Sequence, residues 1–135
     1  MREPAGVKMQ AAFASPDKER LKQAIAQRRA TRVDPLAARD YWKDDVLVKT
    51  AAEHGTVFHI NLSPAIKLQT SQRPQAFREI KIFLGKCVKF KAKFAIAADS
   101  ADPLDAKSPR ELQAIATEIL GLDQHVAKAA VTPLE

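Results

Sequence analysis

Four short apolar runs, each followed by a stretch of helical periodicity, decide what this chain can fold into. Residues 7–14 (VKMQAAFA), 32–36 (RVDPL), 56–62 (TVFHINL) and 93–98 (KFAIAA) read as strands. Their spacing is roughly 25–35 residues, the length a βα unit needs. Strand–helix alternation of this kind points to the α/β class with a mainly parallel sheet. In residues 56–62, Phe58, Ile60 and Leu62 point one way and Val57, His59 and Asn61 the other. The second run is short because Pro35, which cannot donate to a strand ladder, sits inside it.

The helices are punctuated in the sequence. Ser15-Pro16-Asp17 supplies a start for a helix over residues 18–30, with Leu21 and Ile25 on its apolar side. Asp40 is a candidate cap for the next helix, which Gly55 ends. Residues 65–74 read as a polar loop, and Pro74 opens a long helix reaching about Phe90. Ser108-Pro109-Arg110-Glu111 is a capping box with proline at the first helical position, Gly121 stops that helix, and Asp123 begins a last one. The core is expected from Phe58, Ile60, Phe77, Leu84, Phe94, Ile96, Leu112 and Ile115. With 135 residues and no dividing linker, residues 1–135 read as one domain. A complete eight-stranded α/β barrel needs about 250 residues, so the chain cannot be one.

Charge is as unevenly distributed as hydrophobicity. Lys67, Arg73, Arg78, Lys81, Lys86, Lys89, Lys91 and Lys93 fall within 27 residues with Glu79 as their only acid, a local charge of +7 in a chain totalling +6. On a helical wheel, Arg78, Lys81, Lys86 and Lys89 gather on one face while Ile80, Leu84, Cys87 and Val88 gather on the other. A lysine-rich solvated face is the competing reading. However, a solubility face mixes signs and gains from pairs four residues apart, which this one lacks. The pattern suits a polyanion whose phosphates release counterions on binding. Arg73, Arg78, Lys81, Lys86 and Lys89 are the first candidates for phosphate contact, and Lys91 and Lys93 continue the run. Lys107, Ser108 and Arg110 form a second tier, since cations beside a helix N-terminus suit an anion.

Signals for catalysis are sparse. His54, His59 and His125 show no metal-ligand spacing, and His59 on a strand reads as a packed histidine. Asp99, Asp102 and Asp105 could meet a divalent cation, or could equally be a solvated loop. Phosphate-binding glycine loops and the nucleophile elbow are missing from a sequence with four glycines. Cys87 is the single cysteine, which rules out an intrachain disulfide and suggests a reducing compartment. The sequence shows neither a secretory signal nor an apolar run of membrane-spanning length, so no membrane partner is expected.

Several stretches together resemble the thirty-kilodalton protein subunit of archaeal and eukaryotic ribonuclease P. They are VDPLA (33–37), DDVLVKTAAEHGTVFHINLSP (44–64), the run from Arg73 to residue 101, and KSPRELQAIATEILGL (107–122). FHINLSP followed by SPREL at this separation carries most of the likeness, which spans roughly residues 30–125. His59 stands where that family commonly has an acid. The resemblance implies an incomplete TIM-barrel-like fold related to the PHP phosphoesterases but without their metal chemistry. It implies a non-catalytic subunit assisting 5′-leader removal from precursor tRNA by a catalytic RNA. The implied partners are ribonuclease P RNA, precursor tRNA and a small protein subunit. No cofactor is expected on the chain itself, with Mg on the partner RNA. The implied location is the cytoplasm of an archaeon or the nucleus of a eukaryote. Alternative readings are a metal-dependent phosphoesterase of the PHP or amidohydrolase type, and a truncated barrel serving as a protein-interaction module. Family members usually exceed 200 residues, so residues 7–14 are expected to form an open sheet edge covered by another chain, by RNA or by a second copy.

Overall fold

A computed structural model of the chain describes residues 12–98 and 108–131. Its centre is the strand β3, Val57–Asn61, where Phe58 and Ile60 are fully buried and Val57, His59 and Asn61 only half so. That alternation is the one the sequence shows. β3 pairs in parallel with β2 (Arg32–Asp34) on one side and β4 (Lys93–Ala97) on the other, and β1 (Phe13–Ala14) lies beyond β2. The strand order is therefore β1-β2-β3-β4, all parallel.

Parallel strands laid down in sequence, with crossovers of one hand, put their helices on one face. The helices are α1 (Lys18–Ala26), α2 (Asp45–His54), α3 (Ser63–Ile66), α4 (Arg73–Phe90), α5 (Pro109–Glu118) and α6 (Gln124–Val131). Their apolar residues join Val33, Phe58, Ile60 and Ile96 of the strands in one core. Phe83 of α4 sits at its middle, edge-on to Phe58 (4.9 Å between centroids) and to Tyr41 (5.2 Å). Tyr41 belongs to a short 3₁₀ turn, Tyr41–Lys43. Of the expected core, Phe58, Ile60, Leu84, Ile96 and Leu112 are buried; Phe77, Phe94 and Ile115 are partly buried and pack against it.

The other sheet face carries Arg32, Asp34, Val57, His59, Asn61 and Ala97, which are half-buried, together with the exposed Lys93 and the buried Ala95. A purely parallel sheet ordinarily has both faces covered. One helix-covered face and one polar face, with strands in consecutive order, is the arrangement of a segment of a TIM-barrel-like fold, as the α/β alternation and the resemblance led us to expect.

The local punctuation differs from the sequence reading at several points. Of the strand expected over 7–14, the ladder holds Phe13–Ala14, and residues 7–11 lie outside the described residues. The cap of α1 is Asp17, whose carboxylate accepts from Glu19 N–H, while the Ser15 hydroxyl accepts from Asp17 N–H. Helix α1 stops at Ala26 instead of 30, because Arg28 turns left-handed at φ 58° and the Arg28 and Arg29 N–H groups close back on the Ile25 and Ala24 carbonyls. Asp40 precedes only the 3₁₀ turn and makes no side-chain cap, its own backbone being left-handed. Asp44 takes its place, accepting from Leu47 N–H at 3.1 Å. The polar loop expected over 65–74 begins inside a helical turn, α3, where Asn61 Oδ1 accepts from Ser63 N–H. Gly55, Pro74, the SPRE box and Asp123 stand as expected, with Asp123 accepting from His125 N–H.

Candidate nucleic-acid interface

Helix α4 runs 18 residues, about 27 Å at 1.5 Å per residue. It is amphipathic because Ile80, Phe83, Leu84 and Cys87 must reach the sheet, which leaves Arg78, Lys81 and Lys89 exposed. Burial pushes the Cys87 thiol up to about 12. The helix ends at Lys91, a left-handed cap (φ 61°) whose N–H reaches back to Cys87 and Val88 carbonyls.

The stripe of cations is not uniform along this helix. Arg78 and Lys89 occupy its middle line, both exposed; no ion pair to Arg78 forms among the described residues. On the α2 flank, Lys86 Nζ lies 2.6 Å from Asp45 Oδ1. The hydrogen bond from Lys86 holds the Asp45 carboxyl below the usual carboxylate range. On the α5 flank, the stem of Lys81 lies across Gly121, where an added Cβ would come 3.1 Å from Lys81 Cε. At the start of the helix, Arg73 Nε donates to the Leu68 carbonyl at 2.9 Å and Gln75 to Glu79 Oε2 at 2.9 Å. Lys86, Lys81 and Arg73 thus hold neighbouring segments in place as well as adding charge.

The remaining candidates fall in two places. Lys91 and Lys93 are exposed at the end of α4 and the start of β4, beside Lys89. Ser108 and Arg110 open α5, which follows the far end of β4, so the topology sets them at the opposite end of the sheet. Ser108 is engaged as a cap: its hydroxyl accepts from Glu111 N–H at 3.2 Å, and Glu111 Oε1 accepts from Ser108 N–H at 2.9 Å. Arg110 is exposed beside it. Lys107 lies outside the described residues, as do Asp99, Asp102 and Asp105. Among the described residues no three His, Cys, Asp or Glu side chains cluster as metal ligands, and no helix is long and apolar enough to cross a membrane.

Lys49 of α2 was missed by the sequence reading. Packing of α2 on α4 puts its Nζ 5.0 Å from the Phe90 ring, while Lys89 Nζ stands 5.3 Å from the same ring. No spacing in the sequence could have found it, because Lys49 and Lys89 meet only through the tertiary fold.

The residues of this stripe, of β3 and of the α5 cap lie within a match to the family described as RNase P subunit p30, which spans residues 16–134. The chain belongs to the RNase P subunit p30 family. It is similar to proteins called ribonuclease P protein component 3. That of Methanosarcina acetivorans is 30% identical over 98 residues, 73% of this chain and 41% of the relative. Those of Natronomonas pharaonis and Methanosarcina mazei are each 30% identical, over 95 and 89 residues, covering 69% and 66% of this chain. The chain spans about two-fifths of the length of these relatives. The p30 match takes in both segments that carried the resemblance. FHINLSP is β3 running into α3, and SPREL is the capped start of α5.

Proposed function

We propose that this chain acts as an RNA-binding protein subunit of ribonuclease P, gripping RNA phosphates along α4 while RNA hydrolyses the phosphodiester of precursor tRNA. The observation that carries the reading is the exposed line Arg78–Lys89 on a helix whose described acids, Glu79 and the neighbouring Asp45, stand only at its flank. Charge of one sign on a rigid helix neutralises backbone phosphates and orders the RNA without reading its bases. Membership of the p30 family and the names of the relatives support the ribonuclease P assignment. In this reading the chain holds no cofactor, Mg serves the RNA, and a small protein subunit binds alongside. It would work in an archaeal cytoplasm or a eukaryotic nucleus.

Binding of structured RNA tests this directly. Affinity should fall with salt along a log–log slope of roughly −3 to −6, for about four to seven phosphate contacts. Arg78→Glu with Lys89→Glu should weaken binding without altering thermal stability, since both side chains are exposed. Sequencing RNA that copurifies with the chain should return ribonuclease P RNA. A slope near zero would remove the RNA-binding reading, and stoichiometric zinc or manganese in the purified protein would favour an enzyme instead.

A further inference from the structure

Asp45 stands among three lysines drawn from two helices. Lys86 Nζ touches its carboxylate at 2.6 Å, and the charges of Lys86, Lys49 and Lys89 all act on it. The ammonium groups of Lys49 and Lys89 are both held to the ring of Phe90. A ring quadrupole attracts a cation without supplying a counter-charge. Among the described residues, three positive groups thus act on the Asp45 carboxylate while Lys86 alone is ion-paired to it, and these four side chains together carry a net positive charge.

The Asp45 side chain is half-exposed (50%) and that of Lys86 is less so (24%). Ion pairs at such a surface are weak and screened by salt. An RNA phosphodiester reaching the same place brings a full negative charge and sheds condensed counterions as it binds. It can therefore take over Lys86 from Asp45 while meeting Lys49 and Lys89. The ring of Phe90 keeps those two ammonium groups in position, so less side-chain freedom is lost than for isolated surface lysines.

We propose that Lys49, Lys86 and Lys89 form one phosphate-binding site across α2 and α4, with the Asp45 carboxylate standing in the phosphate's place until RNA displaces it. The proposal rests on the RNA-binding reading and deepens it. It makes Lys49 a contact that lies outside the basic stretch, and Asp45 a brake on affinity.

The test measures salt-dependent binding of a labelled RNA hairpin to the full 135-residue chain. Lys49→Gln should bind about fivefold more weakly, with a salt slope smaller by about 1. Asp45→Asn should bind roughly two- to fivefold more tightly, the reverse of the usual effect of altering a site residue. In the unaltered protein, titration with inorganic phosphate should shift the side-chain NMR resonances of Lys49, Lys86 and Lys89 together; this arm needs no variant to fold. If Lys49→Gln and Asp45→Asn bind like wild type while Arg78→Gln is weakened, the site is wrong and the RNA reading stands. If wild type itself shows no salt-dependent binding, both fall. Equal binding of polyglutamate would overturn the phosphate assignment and mark a site for acidic protein.

Discussion

Arg32 Nη2 donates to His59 Nδ1 at 2.8 Å, across neighbouring parallel strands on the polar face of the sheet. Arginine has no acceptor, so Nδ1 of His59 must accept, which fixes the proton of a neutral ring on Nε2. Arg32 Nε is buried and lacks a hydrogen-bond partner among the described residues. A carboxylate at position 59 could accept from the guanidinium fork at two points, as a single ring nitrogen cannot. His59→Glu is therefore expected to stabilise the fold by about 1 kcal/mol. Thermal unfolding of the variant checks this, and a lower midpoint would show that the imidazole is the better partner.

Asp44 joins two elements, capping α2 and binding Lys22 of α1 at 2.9 Å, with Lys18 at 3.8 Å. Burial alone would raise its carboxyl, but the Lys22 bond, the Leu47 N–H and the lysine charges outweigh this and hold it below the ordinary range. A depressed carboxyl stabilises the fold above its unfolded value and loses that contribution as pH falls through its folded value. Asp44→Asn keeps the cap and removes the charge, so it should cost about 1 kcal/mol at neutral pH. The gap from wild type should close as pH drops below about 4. Urea unfolding at several pH values measures it; a gap that stays constant would place the effect elsewhere.

Phe83 touches both Tyr41 and Phe58 and is fully buried. Phe83→Ala should cost about 3–5 kcal/mol and Ile60→Ala about 2–5 kcal/mol, through lost burial and the cavity left behind. Denaturant midpoints would show this, and an unchanged midpoint for Ile60→Ala would mean that the register of β3 is wrong.

Cys87 is fully buried with its thiol pushed up to about 12, so little thiolate forms and reagents cannot reach it. Alkylation should be slow in native buffer and should accelerate with urea in step with loss of helical signal. Rapid stoichiometric labelling of the native protein would mean that α4 opens from the sheet on its own.

What could be read from the sequence is what depends on neighbours in the chain. The alternation of Phe58, Ile60 and Leu62, the Ser108–Glu111 box and the two faces of α4 are all set within one or two turns or a single strand. Ambiguity began where two residues of the same chemistry competed locally. Asp40 and Asp44 are both acceptable caps, and the choice falls to the one that Lys22 can also reach. Lys49 beside Phe90, Lys81 over Gly121 and Arg32 against His59 were invisible, because each contact joins separate βα units or separate strands. The basic stretch was recognisable as a charge pattern, but its division into exposed centre and engaged flanks comes from α2 and α5 packing on either side.

Among the described residues, the strand order β1-β2-β3-β4 follows the chain without a skip. Each new strand finds its partner in the unit just made, so no segment has to wait for a later one to arrive. Each pairing spans one βα unit, so its contacts stay more local than in a parallel sheet whose strands are shuffled. Such a sheet can be built from the ribosome outward, one unit at a time, and it can be lengthened at either edge without rearranging what has already formed. The α4 stripe would then be in place once the single unit that carries it has docked on β3.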